Sequence, residues 1–393
     1  MTPTPRQMGK TRYRRTEAQS GRASEACRAQ PRVRQRARPR HDRFIAGPDR
    51  RAHHGGPAAR WRAEGQRRGV GRHGRNVTGH ADLQYRPPAP YVCRTVGRGS
   101  PHVFLKTRRH DLDASLDEGA RRETDFYAIV ASATPPGILP RCYEAFTAAD
   151  GAWRLLLEDL TATHEALGDW PIPSTLEQSD RIIDAHARFH AHWWDDARLG
   201  ESVGAFLDTS GALNRHLASF AKDFSTFVDR LGDRLSPEHK ALYERLLAAA
   251  PRLLARYSSH RNLTIVHGDA HVWNVMMPRD PGQVDLRLID WDGWRVDQAT
   301  DDLAYMIALF WPAERRRRLE RRALERYHAT LLAHGVGGYG FDALWQDYRY
   351  SVLWQCATPV WQAAHKLGPW IWWPNLERVM VAIDDLGCRD LIA

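Results

Sequence analysis

Residues 265–277 read "IVHGDAHVWNVMM". An apolar pair, Ile265-Val266, runs into His267-Gly268-Asp269, and polar side chains follow at His271 and Asn274. Such a stretch is either a site or a solvated polar turn, and the residues behind it decide between the two. Val275-Met276-Met277 has the character of one strand and Leu286–Ile289, within "DLRLID" (285–290), of another. Pro278 and Pro281-Gly282 mark the turn between them. Antiparallel pairing puts Asn274, just before the first strand, and Asp290, just after the second, at the same open end of a hairpin. An amide oxygen beside a carboxylate is a pair of hard oxygen ligands suited to Mg²⁺, with water and phosphate completing the octahedron. Asp269 precedes Asn274 by five residues and faces the same point without being a ligand. An acid placed beside a metal-bound phosphate can accept a hydroxyl proton.

Working outward, "HVFLKT" (102–107) is a short apolar strand that carries Lys106 near its end. "LDEGARRETDFYAIVAS" is a helix, with Ala120, Glu123, Phe126, Tyr127 and Val130 at helical spacing. Lys106 is placed to reach phosphate oxygens and Glu123 to pair with it. A Lys–Glu pair with an Asp/Asn/Asp cluster is what phosphoryl transfer requires: positioning and charge neutralisation. "HADLQYRP" (80–87) reads as a strand ending at a proline, and "WRLLLEDL" (153–160) as a buried strand running into an acidic turn. Ser174 and Glu177 are spaced as a capping box, and Ile182, His186, Phe189 and Trp193 follow on one helical face. Two helices are expected over 204–258, separated by "LGDRLSPEH", then a strand at "LTIV" (263–266), and helical, Trp-rich sequence from 301 onward. The order implies an α+β chain in two lobes, one small and β-rich, the other mainly helical.

"HGDAHVWN" followed by "LIDWD" resembles the aminoglycoside phosphotransferase and choline-kinase-like family, small-molecule kinases with a protein-kinase-like fold. The resemblance covers residues 80–390. "FLKT", "RRETDFY", "LLLEDL", "HARFHAHWW" and "DQATDDLA" are similar to further family segments in the same order. It implies ATP and Mg²⁺ as cofactors and a small-molecule hydroxyl as acceptor. By position it implies Asp269 as catalytic base, Asn274 and Asp290 as Mg²⁺ ligands, and Lys106 as the phosphate-binding lysine with Glu123 as partner. Leu157, Glu158, Asp159 and Leu160 resemble the hinge whose backbone holds adenine. Asp302 resembles the acid that braces the catalytic loop, and His267 a structural loop residue. The family pattern also calls for two strands around a phosphate-covering loop before Lys106; only "ADLQY" and "APYVCRTVG" are there to supply them. The competing readings are a catalytically impaired kinase-like binding protein and nucleic-acid binding through a basic N-terminal arm.

That arm is set apart by charge. Residues 1–100 hold 24 Lys+Arg against 6 Asp+Glu, and the remainder 33 against 41. Residues 1–80, rich in Arg, Ala, Gly, Pro and His, lack apolar periodicity and are read as a disordered or non-native extension. Residues 81–160 are expected to form the N-lobe and 161–393 the C-lobe. "GVGRHG" (69–74) fits G-x-G-x-x-G but follows no strand, and is taken as chance. Aromatic residues that stack bases are few in the arm, which argues against nucleic acid. No apolar run is long enough for a membrane span or a secretory signal, and five scattered cysteines suggest a reducing cytoplasm. The histidine pairs His267/His271 and His186/His190 do not complete a zinc site on their own. The late tryptophans Trp354, Trp361, Trp370, Trp372 and Trp373 are expected mainly to pack helices, and Asp292 to lie on a solvated face. Oligomeric state and the identity of the acceptor leave no signature in the chain.

Overall fold

The computed structural model describes residues 91–96, 103–108, 118–149, 151–168, 171–207, 211–283 and 285–393. The arginine-rich segment, "GVGRHG" and the strand expected at "HADLQYRP" lie outside the described residues.

Strand β1 (Tyr91–Val96) comes from the "APYVCRTVG" segment, β2 (Val103–Arg108) from "HVFLKT", and β3 (Cys142–Thr147) and β4 (Trp153–Glu158) follow. They form an antiparallel sheet in the order β1-β2-β4-β3. Lys106 therefore sits on an inner strand, opposite Cys93 on one side and Leu155 on the other, which fixes its Cα from both flanks. Trp153, Leu155 and Leu157 of β4 are buried in alternation, as a strand with one face on a core requires. The expectations from sequence omit β3, and the reason is physical. β3 is an edge strand with no buried residue and with Tyr143 and Phe146 exposed, so it lacks the apolar alternation of its neighbour. Between β2 and β3 lies α1 (Glu118–Asp125), which continues through one π-helical turn (Phe126–Val130) and a 3₁₀ turn (Ala131–Ala133). Ala120, Glu123, Phe126, Tyr127 and Val130 are all buried, the face their spacing predicts.

Past a short strand, β5 (His164–Ala166), the chain turns helical. Helix α2 (Leu176–Trp193) begins one residue later than expected. Its capping box is Thr175 with Gln178, not Ser174 with Glu177, while Ser174 Oγ hydrogen-bonds Ser179 Oγ at 2.8 Å instead. Thr175 has the extended backbone an N-cap needs, and Gln178 returns a bond to the Thr175 N–H at 2.8 Å. Helices α3 (Ala212–Leu231) and α4 (Pro237–Leu254) flank "LGDRLSPEH". Next come β6 (Thr264–Val266), β7 (Val275–Pro278), β8 (Arg287–Leu288) and β9 (Arg295–Asp297), paired as the small sheets β5-β7-β8 and β6-β9. The chain then forms α5 (Thr300–Ala304) with a π-helical turn (Tyr305–Leu309), α6 (Ala313–Ala333), α7 (Phe341–Trp354), α8 (Ala357–Ala364) and α9 (Pro369–Asp385).

This is the expected α+β, two-lobed arrangement: a small sheet with one helix, then a mainly helical lobe into which a hairpin is inserted. Trp372 is packed inside, whereas Trp361 is 52% exposed and Trp370 37% exposed, so the late tryptophans are not uniformly core. Cys142, Cys356 and Cys388 are free thiols. Among the described residues no helix is long and apolar enough to cross a membrane.

Candidate active site

Strand β6 delivers the chain into a loop that is pinned from below. Gly268 has φ of +77°, and a Cβ there would lie 2.2 Å from the Gly293 carbonyl oxygen, so only glycine fits. The Asp302 carboxylate, in α5 and fully buried, accepts the backbone N–H of His267 at 2.7 Å and of Gly268 at 2.9 Å. Burial by itself would raise this carboxyl; the hydrogen bonds and charges of His186 and His190 overcome it and hold Asp302 well below the usual carboxylate range. His267 accepts the Asp269 N–H on Nδ1 at 3.3 Å and donates from Nε2 to the Ile289 carbonyl at 2.9 Å. One tautomer satisfies both bonds, and burial pushes the imidazole pKa down, so His267 is a neutral strut between loop and hairpin.

His186, His190 and Asp302 bring three possible metal-ligand atoms within 4.8 Å of one another, an arrangement that pairs of histidines in the sequence do not reveal. Asp302 is already engaged by two peptide N–H groups, and His190 Nδ1 lies 2.7 Å from the Tyr327 hydroxyl. Asp302 and His190, whose Nε2 lies 3.2 Å from Asp302 Oδ2, form a hydrogen-bonded brace under the loop, with His186 Nδ1 beside them at 3.6 Å from the same oxygen.

The hairpin meets the expectation drawn from its turn residues. Val275 pairs with Leu288 and Met276 with Arg287, and Ile289 N–H donates to the Asn274 carbonyl at 3.0 Å. Asn274 and Asp290 thus flank the same end. Asn274 Nδ2 donates to the Asp269 carbonyl at 2.9 Å and to Asp269 Oδ2 at 3.0 Å, so its amide oxygen is the atom left for a cation. Asp290 holds φ of +67°, a left-handed conformation uncommon outside glycine that Asp tolerates better than most residues.

The sheet comes to meet this end. Lys106 Nζ bonds Glu123 Oε2 at 2.6 Å and Asp290 Oδ1 at 2.9 Å, with Lys106 and Glu123 both buried. The docking has a simple cause. Phe126, one turn beyond Glu123, stacks on the buried Trp291 at 4.1 Å and 9°, and Trp294 Nε1 donates to the Arg122 carbonyl at 2.7 Å. The helix that carries Glu123 is thereby clamped to the residues on either side of Asp292. Asp292 is not on a solvated face as expected: it is half-buried, and burial together with Asp290, Asp269 and Glu123 pushes its carboxyl well above the ordinary range. Asp290, Asp269 and Glu123 thus act through charge on Asp292, and carboxyl oxygens are the donors a hard divalent cation takes.

Leu157 and Glu158 end β4, and Asp159-Leu160 lead from it into a turn at 161–163. Glu158 N–H donates to the Arg141 carbonyl at 2.8 Å, Asp159 Oδ1 accepts Thr161 N–H at 3.0 Å, and the Leu160 carbonyl accepts His164 N–H at 2.8 Å.

Two side chains on Asp269 escape the motif reading. Tyr305 donates its hydroxyl to Asp269 Oδ1 at 2.6 Å, and His271 Nε2 lies 3.3 Å from Oδ2. Burial would raise the Asp269 carboxyl, but His271, Tyr305 and His267 hold it far below the usual range, so it is ionised. The only sequence signal for Tyr305 is its spacing of three from Asp302 on one helical segment.

A model of the phosphotransferase enzyme family matches residues 90–344. Curated proteins give no match. Solved structures similar to the chain include a Ralstonia eutropha JMP134 protein assigned to the aminoglycoside phosphotransferases (12% identity, 78% of this chain and 91% of that one, TM-score 0.49). A microcompartment-associated aminopropanol kinase is also similar (13% identity, 78% and 93%, TM-score 0.47), as is the GDP complex of aminoglycoside 2'-phosphotransferase-IIIa (12% identity, 77% and 94%, TM-score 0.46).

Proposed function

The chain belongs to the phosphotransferase enzyme family, and from that premise we propose that it is an ATP- and Mg²⁺-dependent kinase that phosphorylates a hydroxyl of a small molecule. The observation that carries the reading is the chain of contacts Glu123–Lys106–Asp290, with Asp290 set beside Asn274 by the hairpin and Asn274 bonded to Asp269. Lys106 binds phosphate oxygens, and Glu123 holds it in place. Asn274 and Asp290 hold the cation, and the excess of carboxylates at this point, with Asp292 driven toward its protonated form, supports the fit. Bound there, Mg²⁺ supplies neutralisation of phosphate charge. Asp269 receives the proton of the acceptor hydroxyl as that oxygen attacks the terminal phosphoryl group in line, while the bond from that phosphorus to the bridging oxygen breaks and ADP leaves. Because Glu158 N–H is spent on Arg141, the hinge contact to adenine falls to the backbone of Asp159 and Leu160. Asp302 and His267 keep the loop in register. A cytoplasmic place of action accompanies the use of ATP.

A second reading, a kinase-like binding protein with impaired catalysis, has one observation in its favour: among the described residues a single strand, β1, precedes the lysine strand. A coupled ATP-turnover screen over aminoglycosides, choline-like amines, sugars, macrolides and steroid-like alcohols separates the two. Turnover is expected with at least one class, and Asp269→Ala should abolish it while leaving ATP affinity within a few-fold. A variant that keeps its turnover removes Asp269 from the mechanism; binding of Mg²⁺–ATP without turnover of any acceptor favours the second reading.

A further inference from the structure

Tyr305 begins the π-helical turn that follows α5, and its hydroxyl donates to Asp269 Oδ1 at 2.6 Å. Three residues earlier on the same segment, Asp302 accepts the N–H groups of His267 and Gly268. Positions i and i+3 share a helical face, so one short segment grips the catalytic loop twice, by its backbone through Asp302 and by its acid through Tyr305. The switch from α to π geometry falls at Tyr305, and such single-turn insertions often mark functional sites. The phenol is held in its turn: the ring is buried and packs on Phe310 with centroids 5.4 Å apart.

The bonds to Asp269 are divided unevenly. Oδ2 is approached by Asn274 Nδ2 at 3.0 Å and His271 Nε2 at 3.3 Å, while Oδ1 takes Tyr305 alone among these three. A carboxylate oxygen has two acceptor positions, so Oδ1 keeps one for an incoming hydroxyl. We propose that Tyr305 is a positioning residue for phosphoryl transfer: its hydrogen bond sets the rotation of the Asp269 carboxylate so that the remaining lone pair of Oδ1 meets the acceptor hydroxyl. This rests on the reading of Asp269 as the group that receives the acceptor proton.

Tyr305→Phe keeps the ring and removes only the hydroxyl. The full chain is assayed with Mg²⁺–ATP and the best alcohol from the screen, or with water as acceptor. kcat is expected to fall about 10-fold or more, with KM for ATP and for the alcohol within about two-fold, because an interaction with the base and not with either substrate is lost. A kcat equal to wild type, or a KM that rises while kcat holds, overturns the proposal. Asp269→Asn is run alongside. Turnover retained in Asp269→Asn, or absent from the wild type with alcohol and water alike, sinks the underlying reading. An inactive Asp269→Asn with a fully active Tyr305→Phe sinks the Tyr305 assignment alone.

Discussion

On the helical-lobe side, the loop that carries Asp269 is held by groups that lie outside the reaction: Asp302 on two peptide N–H groups, His190 and His186 on Asp302, and His267 on the Ile289 carbonyl. On the sheet side, Lys106 is held by Glu123 and Asp290, and Asp290 is itself one of the proposed cation ligands. One wall is braced by scaffold. The other is tied to its own working groups, so a cation and phosphates would exchange partners with it. A buried charge cluster of the second kind contributes little net stability, because desolvation offsets the Coulomb gain. Its value lies in position. The brace is different, since the bonds of Asp302 and His267 to the backbone relieve peptide groups that would otherwise be buried without a partner.

The sharpest way to break this contrast is to strike the two walls separately. Asp302→Ala strips the loop of its brace and leaves two peptide N–H groups and two histidines facing a void. A loss of about 3–5 kcal/mol of stability is expected in chemical denaturation, with activity falling as the loop loosens. If the loss is below about 1 kcal/mol, the brace is not what holds the loop. Glu123→Gln should do the reverse: KM for ATP rises about 10-fold while stability drops by no more than about 1–2 kcal/mol, because Lys106 still has Asp290. A large stability loss without a change in KM would put Glu123 among the structural residues.

The contrast also has a pH signature. The Asp302 carboxyl is depressed in the folded protein, so its contribution is fully present above the unfolded-state value of about 3.9 and is lost as pH falls toward the lower folded-state value. Denaturation midpoints followed from pH 6 downward should therefore fall more steeply near and below about pH 4 in the wild type than in Asp302→Asn. Parallel curves would deny Asp302 that role. Smallest of all, Thr175→Ala should cost about 1 kcal/mol by uncapping α2, away from both walls and without effect on turnover. A null result would return the cap to Ser174.

The parts legible in the sequence were those written in local pattern. The hairpin followed from its turn residues, and with it the placing of Asn274 and Asp290 at the same end; the burial of Glu123 and Phe126 followed from helical spacing. Other parts left no local trace. Edge strand β3 hides no apolar residue, and the capping box lay one residue from an equally plausible pair. Asp292 looked like a solvated acid because its burial comes from α1, more than 160 residues away in the chain.

By itself, then, the sequence determined which residues have the chemistry for a site and which elements carry them, because periodicity and turn chemistry act over a few residues. The tertiary structure alone decided that Lys106 lies between Glu123 and Asp290, that Asp302 gathers two histidines under the loop, and that Tyr305 touches Asp269. Those contacts join residues 17 to 184 positions apart, and the packing of Phe126 on Trp291, the bond of Trp294 to Arg122 and the course of the chain through α5 bring them together.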